Sequence, residues 1–171
     1  MTARVVALLI TLAVATVVLS ALQTKLAIRY IWNASESVPI GLYLIQPTGR
    51  LFVTELVAVA PPEPLAAFLA DGGYLPRGVP LLKRVLALPG QTVCRDRRTI
   101  TVDQIWVGET RDHDGRGRLL PIWQGCHVLA DGEVFVMNWQ SANSLDGRYF
   151  GALPATAILG RAEPLWTNEE E

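Results

Sequence analysis

From Val5 to Thr24 the chain runs for 20 residues without a charged side chain, VVALLITLAVATVVLSALQT. As an α-helix rising about 1.5 Å per residue, such a run covers roughly the 30 Å hydrocarbon core of a bilayer. Arg4 precedes it, and Lys25 and Arg29 follow. The expectation is one N-terminal transmembrane helix that stays on the protein. A cleaved signal peptide is the main competing reading. It needs a small-x-small site after the apolar stretch, whereas Ala13-Val14-Ala15 falls inside it with TVVLSAL still to come. A buried core helix is the third reading, and span length argues against it. Basic residues lie on both sides, so charge counting leaves the orientation open.

Beyond the run, short apolar stretches are broken by Gly/Pro punctuation at intervals typical of β structure. The 14 Gly and 11 Pro are too many for a helical bundle and suit a loop-rich β protein. Candidate strands are Gly41–Gln46, Leu51–Ala60, Pro80–Leu88, Gln91–Arg95, Thr99–Val107, Glu133–Asn138 and Ile158–Trp166, with a tight turn at Asp103 splitting the fifth into a hairpin. One helix is expected after Pro61-Pro62, carried by EPLAAFLA and ended by Asp71-Gly72-Gly73. The organisation read from this is an anchor over 1–24, a linker over 25–36, a mostly β domain over 37–166 and an acidic tail over 167–171. A net charge of −1 and a pI near 6.1 exclude a nucleic-acid binder, which needs a basic surplus to neutralise phosphates. A mean hydropathy of +0.28 excludes disorder.

Two Cys and two His, with no CxxC and no HExxH, give no metal-site spacing, and no cofactor is expected. A Ser-His-Asp triad is poorly supported: G-x-S-x-G is missing, His113 lies in the charged stretch Arg111–Leu120, and His127 follows Cys126. Three other segments stand out. They are Asn33-Ala-Ser35-Glu-Ser37-Val-Pro39-Ile-Gly41-Leu-Tyr43, then Leu81-Leu-Lys83-Arg84-Val-Leu-Ala-Leu-Pro89-Gly90, then Asn143-Ser144-Leu-Asp146-Gly-Arg148-Tyr149-Phe-Gly151. Lys83 is a charge set into an apolar strand. Desolvation there disfavours the ammonium and makes a neutral amine available as a general base. A serine hydroxyl beside such an amine becomes a nucleophile without any histidine.

In this order, behind an N-terminal anchor, the three segments resemble the motif boxes of the type I signal peptidase family. The pattern is most similar to its TraF-like subgroup, the conjugative-transfer signal peptidases. Gly115-Arg-Gly-Arg-Leu-Leu-Pro121, Cys126 and Gly132-Glu-Val-Phe extend the resemblance over nearly all of residues 30–166. It implies a signal-peptidase-like catalytic β domain on the periplasmic face of the inner membrane, which supplies the orientation that charge counting does not. It also implies a serine endopeptidase that cuts exported precursors after small residues, a pilin precursor of a conjugation system above all, among conjugative type IV secretion components.

Carried over by motif position, Ser37 matches the nucleophile and Lys83 the general base. Ser35 matches an oxyanion-binding hydroxyl, Ser144 the serine that orients the lysine amine, and Asp146 with Arg148 a supporting ion pair. Pro39, Tyr43, Leu82 and Arg84 are the candidate substrate-binding positions, with the precursor expected as an added strand between Ile40–Ile45 and Pro80–Leu88. Two departures from the housekeeping pattern stand out. Glu36 sits beside the nucleophile, and Asn138-Trp-Gln-Ser-Ala replaces the usual Gly-Asp-Asn. Cys94 and Cys126 are a candidate disulfide in a periplasmic domain, with two buried thiols as the alternative. The bridge is expected to pin the Arg111–Leu120 excursion. Trp139, Tyr149 and Phe150 are candidates for shielding an acyl-enzyme from water, which would permit cyclisation of the substrate; core packing explains them equally well.

Two function classes compete with the peptidase. A catalytically silent assembly factor has no need of Ser37, Lys83 and Ser144 together. A LexA-like self-cleaving repressor needs a DNA-binding module, and neither a helix-turn-helix nor a basic stretch is present.

Overall fold

The computed structural model describes residues 3–23 and 29–168. Helix α1 covers Ala3–Gln23. Strands β1 (Tyr30–Asn33), β2 (Gly41–Gln46) and β3 (Leu56–Val59) precede helix α2 (Leu65–Asp71). Then follow β4 (Leu81–Ala87), β5 (Thr92–Asp96), β6 (Thr99–Val102), β7 (Ile105–Glu109), β8 (Gly125–Val128) and β9 (Glu133–Val136). A short helix α3 (Gly147–Phe150), β10 (Leu153–Pro154) and the long β11 (Ile158–Thr167) complete the chain. The fold is mostly β, as expected. Among the described residues no helix is long and apolar enough to cross a membrane.

All strand pairs are antiparallel. They form a seven-stranded sheet ordered β1-β2-β11-β3-β4-β9-β10 and a four-stranded sheet ordered β7-β6-β5-β8. The larger sheet is covered on both faces at its centre. In β3, Leu56 and Ala58 enter one apolar cluster with Ile31, Val38, Tyr43, Ile45, Leu82 and Ala162. Val57 and Val59, pointing the other way, join Val85, Val134, Val136 and Leu153 in a second. Period-2 geometry therefore requires an apolar residue at every β3 position, and all four are buried. A third cluster, built on Ala87, Val93, Ile100, Val102, Leu129, Phe135 and Met137, joins the two sheets.

The β6–β7 turn falls where expected. Asp103 and Gln104 both take positive φ (49° and 68°), the primed-turn conformation that matches hairpin twist. The Asp103 carboxylate supports it by accepting from the Thr92 N–H (2.8 Å) and Gln91 Nε2 (2.9 Å). Helix α2 begins at Leu65 and ends before Gly72, inside the expected segment. Several elements differ. Tyr30–Asn33, within the expected linker, is a strand paired along β2. The expected strand Leu51–Ala60 shortens to β3 because the chain turns first: the Glu55 N–H donates to the Phe52 carbonyl, and Thr54 sits at φ 80°. Helix α3, β8 and β10 are further elements that the sequence reading does not contain.

Two motif glycines are there for close approach. A Cβ on Gly41 would lie 2.1 Å from the Trp166 carbonyl oxygen of β11. On Gly147 it would lie 2.7 Å from the Val136 carbonyl oxygen of β9. Each lets a site segment seat against the sheet.

Cys94 and Cys126 face each other across β5 and β8 and are joined as a disulfide. The charged excursion Arg111–Leu120 is held elsewhere. Asp114 accepts from the Tyr74 hydroxyl (2.8 Å) and from the N–H groups of Arg116 (2.8 Å) and Arg118 (2.9 Å), and the Arg118 guanidinium lies 4.1 Å over the Tyr74 ring. This cluster fastens the loop at the C-terminal side of α2.

Candidate active site

Ser37 lies in the turn joining β1 to β2, half-buried between exposed Glu36 and buried Val38. One residue shapes that turn. Asn33, the last residue of β1, is buried and directs its side-chain amide into the loop. Nδ2 donates to the carbonyls of Ser35 (2.7 Å), Val38 (3.0 Å) and Pro39 (3.0 Å), while Oδ1 accepts from the Ser35 N–H (3.1 Å) and hydroxyl (2.9 Å). The Tyr43 hydroxyl donates to the Pro39 carbonyl at 2.6 Å. Ser35 Oγ is 3.1 Å from Ser37 Oγ. With the Ser35 proton directed at Asn33, Ser37 is the donor of that pair.

Lys83 is in β4 opposite Val57 and is 3% exposed. Its Nζ donates to Ser144 Oγ at 2.9 Å. Burial pushes the amine down to about 8. The nearby Asp146 carboxylate opposes that shift and the Arg148 guanidinium adds to it. An amine with this pKa is neutral in a substantial fraction of molecules at moderate pH, which an ordinary lysine is not.

The segment that brings Ser144 to Lys83 is organised on Asp146. Its carboxylate, fully buried, takes Arg148 Nε and Nη2 as a bidentate pair, each at 2.9 Å. It also accepts from the N–H groups of Arg148 (3.2 Å) and Asn138 (3.1 Å), and so caps α3. Arg148 Nη2 reaches on to the carbonyls of Ser141 (2.7 Å) and Ser144 (3.2 Å). A buried ion pair holds only when its remaining hydrogen-bonding sites are filled, and here they are. Buried Arg95 of β5 donates to the Arg148 carbonyl (2.8 Å), tying the smaller sheet to this segment.

Of the expected site residues, Lys83, Ser144, Asp146 and Arg148 form one connected group, and Ser35 and Ser37 form a second. No hydrogen bond joins Ser37 to Lys83 among the described residues. The groups approach through Val38 and Leu82, which share an apolar cluster. Of the substrate-binding candidates, Tyr43 and Leu82 are buried, Pro39 is half-buried, and Arg84 donates to the Thr54 carbonyl (3.1 Å) and lies 5.9 Å over the Trp139 ring. Tyr149 is a core residue whose hydroxyl accepts from the Arg111 N–H (3.1 Å), Phe150 packs on the second cluster and Trp139 on the third, so all three aromatic candidates pack against the interior. His127 pairs with Glu133 (2.7 Å) on the surface, and His113 bridges to Leu119 within its loop.

The expected added strand meets a correction. β2 is paired on both edges, by β1 over Gly41–Leu44 and by β11 over Gly41–Gln46, so it offers no ladder to a further chain. The residues missed from sequence are Asn33 and Asn138. Both stood inside segments singled out by their neighbours, and a lone asparagine carries no signal of its own.

The family model for signal peptidase, peptidase S26, matches residues 1–166. A conjugal transfer protein TraF from Agrobacterium fabrum is 35% identical over 146 residues, covering 79% of this chain and 81% of its own length. A plasmid transfer protein TraF from Escherichia coli is 30% identical, with 79% and 81% covered. The solved structure of a signal peptidase I from Enterococcus faecalis aligns with 66% of this chain and 97% of its own at 17% identity and a TM-score of 0.40. The family match defines a peptidase class. The chain belongs to the signal peptidase S26 family, and its relatives there include TraF proteins.

Proposed function

We propose that the chain is a membrane-anchored serine endopeptidase that cuts exported precursors after small residues, and that its substrate is a pilin precursor of plasmid conjugative transfer. The observation that carries the chemistry is Lys83: a buried amine with a hydroxyl as its hydrogen-bond partner and a pKa of about 8, in a signal peptidase family member. The conjugative role rests on the relatives named as conjugal and plasmid transfer proteins. The anchor rests on the uncharged run Val5–Thr24 and on the exposed apolar side chains of α1, among them Leu8, Ile10 and Leu12. The catalytic domain then faces the periplasm, beside the conjugative secretion components that use the product.

In the reaction Ser37 Oγ attacks the scissile carbonyl and passes its proton to neutral Lys83, which returns it to the leaving amine. For this Ser37 turns its hydroxyl from Ser35 to Lys83. The oxyanion is bound by the Ser37 N–H and the Ser35 hydroxyl, which must leave Asn33 to donate. Water then hydrolyses the ester on Ser37. Attack by the substrate's own N-terminus would instead close a circular product, one water lighter than the linear peptide ending at the same cut. Mass spectrometry of the mature pilin separates the two outcomes.

The dyad is tested by co-expressing a pilin precursor with the wild-type chain, Ser37→Ala or Lys83→Ala and following processing in membranes. Both variants are expected to leave the precursor uncut. Normal processing by Lys83→Ala would remove the lysine from the mechanism.

A further inference from the structure

β4 outruns its neighbour. β9 ends at Val136, and the last backbone bond between them runs from the Met137 N–H to the Arg84 carbonyl at 2.8 Å. Beyond that point a side chain takes the place of the strand. Asn138 Nδ2 donates to the Leu82 carbonyl at 3.1 Å, and Asn138 Oδ1 accepts from the Arg84 N–H at 2.9 Å. A carboxamide offers a donor and an acceptor side by side, as a peptide unit does, so one side chain satisfies both backbone groups that a paired strand would have reached.

The residue between Leu82 and Arg84 is Lys83. Alternate residues of a strand turn their backbone groups to opposite edges. Lys83 is thereby paired to Val57 on the β3 side, while the peptides flanking it are held by Asn138 on the other. Asn138 is 2% exposed, and its own N–H donates to Asp146 Oδ2 at 3.1 Å. One residue therefore joins the strand that carries the amine to the segment that carries Ser144.

We propose that Asn138 is the positioning residue of Lys83, fixing β4 on both sides of the lysine so that Nζ stays on Ser144 and away from water. This rests on the reading of Lys83 as the general base. The charged groups that act on the amine are Asp146 and Arg148, both from the Ser144 segment. A neutral substitution at 138 alters none of them. A change in the ionisation of the base then reports its hydration and its distance from Ser144.

The test is the pH dependence of kcat/KM for Asn138→Ala and Asn138→Gln, with wild type and Lys83→Ala alongside. It uses the full chain in detergent and a synthetic peptide bearing alanine at the first and third positions before the cut. Asn138→Ala removes both bonds; Asn138→Gln keeps the amide but sets it one methylene out of place. With β4 released, water reaches Nζ and the acid limb moves to higher pH, by about one unit for Ala and less for Gln. Activity at neutral pH falls about tenfold with the Ala shift, since the neutral fraction falls tenfold per unit. An acid limb at the wild-type position in either folded variant, with activity reduced equally at all pH values, makes Asn138 a merely structural residue and overturns the proposal. So does loss of the fold in both. Cleavage by Lys83→Ala refutes the dyad itself and is read independently of residue 138.

Discussion

Burying a lysine that must lose its charge costs stability, and the cost can be measured. The Lys83 amine falls from 10.5 to about 8 on folding, chiefly through burial. At 1.36 kcal/mol per unit, a drop of about 2.5 units makes the protonated form roughly 3 kcal/mol less favourable in the folded chain than in the unfolded one. The sign follows from proton counting. Between pH 8 and 10.5 the unfolded chain binds more protons at this residue than the folded chain, so stability rises with pH through that window. Below pH 8 the penalty is fully present, and above 10.5 it is gone. Lys83→Met keeps the length of the side chain and has no such charge. It leaves Ser144 Oγ without its donor, a loss of about 1 kcal/mol at every pH. The variant is therefore expected to be about 2 kcal/mol more stable than wild type at pH 7 and about 1 kcal/mol less stable above pH 10.5. The assay is urea unfolding of both proteins, disulfide intact, from pH 7 to 11; other titrating groups cancel in the difference. A difference that stays constant across this range would refute the desolvation argument, and with it the account of why Lys83 is basic enough yet neutral enough to act.

The same group sets the activity profile: kcat/KM should rise about tenfold per pH unit below a midpoint near 8 and level off above it, in initial-rate measurements on a peptide substrate. Asn33→Ala frees the Ser35–Pro39 turn while leaving β1 paired, so kcat should fall about 10²-fold or more through the oxyanion geometry, and the bonds lost inside the turn should also lower the melting temperature. Cys94→Ser with Cys126→Ser opens a loop with a sequence separation of 32 and should cost about 3–4 kcal/mol in the chain-entropy model, seen as a lower urea midpoint.

Much of this was legible in the sequence for identifiable reasons. β2 alternates cleanly, with Gly41, Tyr43 and Ile45 inward, and its bounds were read correctly. Lys83 announced itself as a charge in an apolar strand, and the Asp103 turn as a polar break between two β-rich runs. β1 did not, because Tyr30 and Trp32 face outward as large apolar residues beside inward Ile31 and Asn33, which erases the contrast that marks a strand face. The extra length assigned ahead of β3 has a similar cause: Phe52 and Val53 favour strands by composition, yet both lie exposed in a turn. α3 is four residues long and owes its existence to a cap from Asp146, not to any periodicity. Proximity of the Ser37 turn to β4 depends on how the large sheet brings Val38 to Leu82, a long-range contact that no local pattern encodes.

The sheet order also puts the nucleophile's hairpin and the lysine's strand on opposite sides of β11. Among the described residues, the hairpin that carries the nucleophile, β1 with β2, is hydrogen-bonded to the remainder of the large sheet only through β11. Ser37, Lys83 and Ser144 all precede residue 158, yet the ladder uniting the serine's strands with the lysine's is supplied by β11. A nascent or prematurely ended chain would thus hold every reactive group and still lack the joined site. β11 is a latch between the two halves of the candidate site.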